Sequence, residues 1–90
     1  MKKVHLIVTG RVQGIWYRGS ARDHARTLGV NGFARNLRDG TVELVVEGED
    51  ELVDQMVAWA WEGPKLAIVS DIKVEELPYE PEYHDFGVLF

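Results

Sequence analysis

The ten residues from Gly10 to Gly19, GRVQGIWYRG, hold two arginines, three glycines and an Ile-Trp-Tyr run, and no acid. Fixed positive charge beside a backbone that turns freely is the chemistry of anion capture. A guanidinium offers a planar, permanently charged fork to phosphate or carboxylate oxygens. Glycine lets successive N–H groups turn inward as a concave nest. Gly14 to Gly19 has the glycine spacing of a Walker loop, but Ser20-Ala21 follows where Lys and a hydroxyl residue are needed, and G-x-G-x-x-G is absent. Two readings of Arg18 stay open at this point: a phosphate ligand, or a partner for acids elsewhere in the chain.

Those residues need elements to hold them. "KKVHLIVTG" alternates Val4, Leu6 and Val8 against His5 and Thr9, which predicts a half-buried strand ending at Gly10. From Arg18 to Leu28 the period changes. Tyr17, Ala21, Ala25 and Leu28 fall on one helical face, and Gly29 is a C-terminal stop. The anion-capturing stretch therefore joins a strand to a helix N-terminus, where orphan N–H groups and the positive dipole end favour anions. Arg18, Arg22 and Arg26 stand four apart and form a stripe on another face of that helix. "VNGFARNL" and "TVELVVEG" are extended runs joined at Arg38-Asp39-Gly40, a hairpin signal. In the second run Val42, Leu44 and Val46 are expected inward, with Thr41, Glu43 and Glu47 outward.

"EDELVDQMVAWAWEG" predicts a second helix, its acids in the first turn and Gly63-Pro64 ending it. Leu52, Met56, Trp59 and Ala60 make its apolar stripe. In "AIVSDIKVEEL", Ile68, Ile72 and Val74 are expected on one face of a strand, with Val69, Asp71, Lys73 and Glu75 on the other. "PYEPEYHD" is read as an acidic loop and "FGVLF" as a short final strand. The order is βαββαβ with a short C-terminal strand. It implies a single α+β domain over 1–90, a ferredoxin-like two-layer sandwich with two helices on one face of a mainly antiparallel sheet. That fold hosts many functions, so the site has to decide among them.

Composition narrows the field. The chain has 90 residues, 46% hydrophobic and 28% charged, with a net charge of −5 and no cysteine. Disulfides, thiolate nucleophiles and thiolate metal sites are excluded, and a cytoplasmic location is expected. The start "MKKVHLIVTG" has too short an apolar run for a signal peptide, and no stretch has the length of a membrane span. Residues 1–38 hold eight bases against one acid (+7), whereas residues 39–90 hold two bases against fourteen acids (−12). Either the halves complement each other on folding, or a local positive site sits in an acidic protein. Neither favours broad binding to nucleic acid or to membranes.

The sequence resembles the acylphosphatase family over nearly its whole length. "GRVQGIWYR" is similar to the signature G-R-V-Q-G-V, one variable position, then F-R. "GFARNLRDG" is similar to the second, G-[F/W]-[V/A]-R-N followed two residues on by D-G. The departures are Ile15 for Val and Tyr17 for Phe, with Trp16 in the variable slot. Tyr17 is expected to fill the core, its hydroxyl needing a partner. Trp16 is open to two readings, packing or the rim of a site.

The resemblance implies hydrolysis of the carboxyl–phosphate bond to a carboxylate and inorganic phosphate. It makes the loop Gln13, Gly14, Ile15, Trp16, Tyr17 and Arg18 a phosphate cradle acting mainly through backbone amides. Arg18 takes the place of the phosphate-binding arginine and Asn36 that of the water-positioning asparagine. Arg11 and Arg35 take supporting positions only. A carboxylate leaving group, with a conjugate-acid pKa of roughly 4–5, departs unprotonated, so no general acid is required. His5, His24 and His84 stand at isolated positions without metal-ligand spacing, so neither a metal nor another cofactor is expected. The expected partners are a small acyl phosphate and inorganic phosphate as product and competitive inhibitor, with the protein acting as a monomer. Two rivals remain from other classes: a non-catalytic small-anion sensor, and an RNA-binding module of the same element order. RNA modules stack bases on strand aromatics, and "TVELVVEG" has none.

Overall fold

The computed structural model describes residues 1–90 as β1 (Lys2–Arg11), α1 (Tyr17–Leu28), β2 (Asn31–Asn36), β3 (Val42–Gly48), α2 (Asp50–Glu62), β4 (Ile68–Leu77) and β5 (Phe86–Leu89). The strands form one sheet in the order β4-β1-β3-β2-β5. All neighbours are antiparallel except β2 and β5, which run parallel. This is the expected ferredoxin-like sandwich, widened by the C-terminal strand. β1 and β3 lie at the centre and supply Val4, Leu6, Val8, Val42, Leu44 and Val46 to the core. The helices close that core with Ala21 and Ala25 from α1 and Val53, Met56 and Ala60 from α2.

Tyr17 ties the helices together. Its ring is 1% exposed and its hydroxyl donates to the carbonyl of Ala60 at 2.6 Å. A helical N–H at position 64 would serve that carbonyl, but Pro64 has none. The phenol takes over the missing donor, and burial raises its pKa well above the usual value. The hydroxyl expected to need a partner thus completes the end of α2.

Three expectations about sidedness are corrected. On β4, Val69 packs against the core while Ile68 is 63% exposed. The ladder pairs Thr9 with Asp71 but Gly10 with Val69, so Ser70 is an extra residue, and the bulge exchanges the faces beyond it. Val74 lies on the edge strand and is itself exposed. On α2 the fully buried stripe is Val53, Met56 and Ala60, with Leu52 and Trp59 at its margin. Trp59 is drawn sideways onto α1, against Tyr17 and His24.

Thr41, just before β3, and Glu47 on it are expected outward, yet both are buried. The segment 80–83 lies across the sheet face opposite the helices and covers Glu47. The N–H of Glu82 donates to both Glu47 carboxylate oxygens at 3.1 and 3.2 Å. Lys3 Nζ pairs with Glu82 and donates to the Glu80 carbonyl, and Asn31 Nδ2 donates to the Tyr83 carbonyl at 3.1 Å. Strand alternation set the direction of these side chains correctly. What covers Glu47 comes from the far end of the chain, whereas Thr41 is held in the hairpin, its N–H and hydroxyl donating to Asp39 Oδ1.

Candidate active site

β1 delivers the chain to buried Val12, and the loop then runs through Gly14 (φ 76°) and Trp16 (φ 65°) into α1. Trp16 is the one non-glycine residue with positive φ, a conformation that costs energy and concentrates where a site demands it. α1 has no side-chain N-cap and no acid in its first turn. The backbone N–H groups from Gln13 to Gly19 find no acceptor within the protein. With no side-chain cap on α1, the run is unspent hydrogen-bonding capacity beside a positive dipole end.

The side chains of this loop divide. Gln13 turns inward, its Nε2 donating to the carbonyls of Leu37 and Thr41, both at 2.8 Å. That bond pair fastens the loop to the β2–β3 hairpin. Ile15 packs against the core and Tyr17 lies within it. Of the six residues expected to form the cradle, Gly14, Trp16, Tyr17 and Arg18 line the cleft in front of the loop, whereas Gln13 and Ile15 do not, and Tyr17 keeps its side chain in the core. Trp16 meets both expectations in part: one side of its indole packs on the first turn of α1 over Gly19, while the residue as a whole is 64% exposed at the edge of the cleft.

A cleft of about 420 Å³ opens in front of the loop. Arg18, Asn36, Gly14 and Trp16 line it together, so α1 and β2 bring the two expected side chains to one place. Arg18 Nη1 donates to the Leu89 carbonyl at 2.8 Å, and the Phe90 ring centroid lies 4.9 Å from its guanidinium. Arg18 has no acidic partner. Asn36 ends β2 on the face that carries Ala34 towards the helices. Its Oδ1 is shielded from solvent and has no hydrogen-bond partner, unlike every other buried side-chain oxygen or nitrogen of the protein. A buried acceptor left unsatisfied costs about 1–3 kcal/mol, a cost that a site retains when a ligand or ordered water meets the group.

Residues 4–88 match the sequence profile of the acylphosphatase family. An acylphosphatase of Methylococcus capsulatus is 52% identical over 89 residues, covering 99% of this chain and 97% of that protein. One from Thiobacillus denitrificans is 51% identical over 86 residues, covering 96% and 94%. The crystal structure of acylphosphatase from Bacillus subtilis superposes with a TM-score of 0.95 at 30% identity, each chain covered in full. The chain belongs to the acylphosphatase family.

Membership of the acylphosphatases leaves the RNA-binding and sensor readings without support. On the sheet face that an RNA module would use, β3 presents Glu43, which pairs with His5 and Arg35. Burial pushes the Glu43 carboxyl up, but the hydrogen bonds from His5 and Arg35 outweigh it and hold the pKa below its ordinary value. Arg35 is thus committed to the sheet, away from the cleft. His24 stacks on Trp59, and His5 lies on the opposite face of the molecule from α1. No helix is long and apolar enough to cross a membrane.

Two parts of the cleft were not anticipated. β5 pairs parallel to β2 and brings Gly87, Val88 and Phe90 to form its far wall. Parallel pairing between segments some fifty residues apart leaves no local signal in the sequence. Arg22 and Arg26 also line the cleft. Their spacing from Arg18 was visible, but the direction their stripe would face was not.

Proposed function

We propose that the protein hydrolyses acyl phosphates to a carboxylate and inorganic phosphate, with Arg18 and the loop amides holding the phosphoryl group and Asn36 positioning the attacking water. The observation that carries this reading is the meeting, in one cleft, of a run of unpartnered amides, a guanidinium without an acidic partner, and a buried amide oxygen without a donor. The first two match an anion with several oxygens. The third matches a neutral molecule that donates a hydrogen bond, and water fits.

The water oxygen forms a bond to phosphorus as the bond from phosphorus to the acyl oxygen breaks, and the carboxylate leaves with the electron pair. Loose, in-line transfer of this kind needs positioning and charge stabilisation more than covalent help. Arg18 and the fixed N–H groups of Gln13 to Gly19 stabilise the equatorial oxygens without reorganising. The leaving carboxylate needs no proton. The proton lost by the water passes to a phosphoryl oxygen, since no base approaches Asn36. The Leu89 carbonyl, by accepting from Nη1 at the edge of the Arg18 guanidinium, fixes the direction of the rest of the fork.

In this reading the protein acts as a single-domain monomer in the cytoplasm, without metal or cofactor, and inorganic phosphate competes with substrate for the amide cradle. The test is phosphate release from acetyl phosphate, followed with and without chelator. Release that survives chelation and is competitively inhibited by phosphate is expected. A protein that binds phosphate but releases none from acetyl phosphate would be a sensor.

A further inference from the structure

The cleft holds more positive charge than a phosphate requires. Three arginines line it, Arg18, Arg22 and Arg26. Arg26 is engaged on both its Nε and Nη2 by the Asp85 carboxylate at 3.1 and 2.9 Å. Arg22 differs. Its Nε is held by Asp23 at 3.0 Å, but its two terminal nitrogens have no partner. The Asp23 bond fixes the plane of the guanidinium and leaves the two-pronged end free.

Trp16 stands beside it. The Arg22 guanidinium lies 5.9 Å from the indole centroid. The indole in turn lies flat on the first turn of α1, which only glycine permits. A Cβ at Gly19 would come within 2.4 Å of the Trp16 ring. The left-handed backbone at Trp16 and the missing side chain at Gly19 together hold a half-exposed indole against the helix. An exposed aromatic held by two such devices is a platform.

We propose that Arg22 and Trp16 form a subsite for the acyl group, selecting acyl phosphates whose acyl chain ends in a second carboxylate. The inference rests on the phosphate site proposed above. Arg22 follows Arg18 by four residues, so its Cα lies about 6 Å further along the helix. That separation suits a chain of a few carbons between the acyl phosphate and the second anion. The indole covers the aliphatic part of such a chain, and the free prongs of Arg22 bind the terminal carboxylate bidentately. Arg22 is a specificity determinant here and takes no part in the bond changes.

The experiment compares kcat/KM for succinyl phosphate with kcat/KM for butyryl phosphate, a neutral chain of similar length. The wild type should prefer succinyl phosphate by on the order of tenfold, and less at high salt, as screening weakens a partly exposed pair. Arg22→Gln should bring the ratio close to one, Arg22→Lys should restore part of it, and Arg22→Glu should invert it. A wild-type ratio near one, or a ratio unaltered in Arg22→Gln, overturns the subsite while leaving the phosphate site standing. Circular dichroism of each variant confirms that the fold is kept, and Arg22→Lys keeps the test decisive if Arg22→Glu does not fold. Failure of the wild type on acetyl phosphate as well would overturn the activity beneath it.

Discussion

β2 carries two asparagines that end in opposite circumstances. Asn31 points to the sheet face away from the helices and donates to the Tyr83 carbonyl. Asn36 points towards the helices, and its Oδ1 receives nothing. The same contrast extends around each. On the open sheet face Glu43 takes His5 and Arg35, Glu47 takes the N–H of Glu82, and Lys3 takes Glu82 and the Glu80 carbonyl. In the cleft a run of amides, the prongs of Arg22 and the Asn36 oxygen are unspent. Both regions are polar. Only one has capacity left over, and leftover capacity locates a ligand where polarity alone does not.

The same contrast resolves the charge asymmetry of the chain. Lys2, Lys3, Arg26 and Arg35 pair with acids of the second half, namely Asp54, Glu82, Asp85 and Glu43. Those four bear out the reading that the halves complement each other. Arg18 is met by a carbonyl, and the terminal nitrogens of Arg22 by nothing. Arg18 therefore has no acid against it, and Arg22, whose Nε pairs with Asp23, keeps its two terminal nitrogens for an incoming anion.

If unspent groups serve function and paired ones serve the fold, substitutions on the two sides of β2 should separate activity from stability. The largest effect belongs to Asn36→Ala. Turnover should fall by on the order of a hundredfold, as lost positioning of a reactant does. Inhibition by inorganic phosphate should hold, and the thermal midpoint should stay level or rise, because an unsatisfied buried acceptor has been removed. A variant that also loses phosphate inhibition or much stability would show that Asn36 builds the site, and the contrast between the asparagines would collapse.

Arg18→Lys comes next. It keeps the charge but loses the fork, and kcat/KM should drop by about tenfold or more, with weaker phosphate inhibition. Activity within a factor of two of the wild type would remove Arg18 from the phosphate site.

The opposite pattern is expected from paired groups. Glu43→Gln should leave kcat within a factor of two but destabilise by about 1 kcal/mol, lowering the thermal midpoint by roughly 4–8 °C. Tyr17→Phe orphans the Ala60 carbonyl and should lower the midpoint comparably with turnover kept. A large loss of turnover in either variant would mean that the sheet face and the cleft are coupled.

The smallest effect is a pH dependence. Glu43 is held below its ordinary value by His5 and Arg35, and Asp85 by the Phe86 N–H and then Arg26. A depressed folded-state pKa contributes stability that is present above the unfolded value, near 4.5 for Glu43 and 3.8 for Asp85. That contribution is lost as pH falls through the folded value. Thermal midpoints should therefore decline below pH 4.5, and less steeply in Glu43→Gln than in the wild type. Equal slopes would show that the Glu43 network is already broken by acid at other groups.

The sequence by itself determined the elements and their order, because period, turn residues and caps are local properties of the chain. It determined the strand-to-helix loop with its glycines and Arg18, and the side of β2 on which Asn36 lies, since strand alternation fixes direction within a few residues. It did not determine what each face would meet. The bulge at Ser70 turned Val69 inward and Ile68 out, because register is set by the partner strand. Segment 80–83 buried Glu47, and the parallel docking of β5 on β2 closed the cleft with Val88 and Phe90. Arg18, Arg22 and Arg26 had identical spacing and chemistry in the chain. Arg22 meets only its neighbour Asp23, whereas Arg26 is paired by an acid brought from position 85 and Arg18 is oriented by a carbonyl from position 89. The last two pairings join residues separated by most of the chain, so no local pattern encodes them, and only the packed structure sorts spent polar groups from free ones.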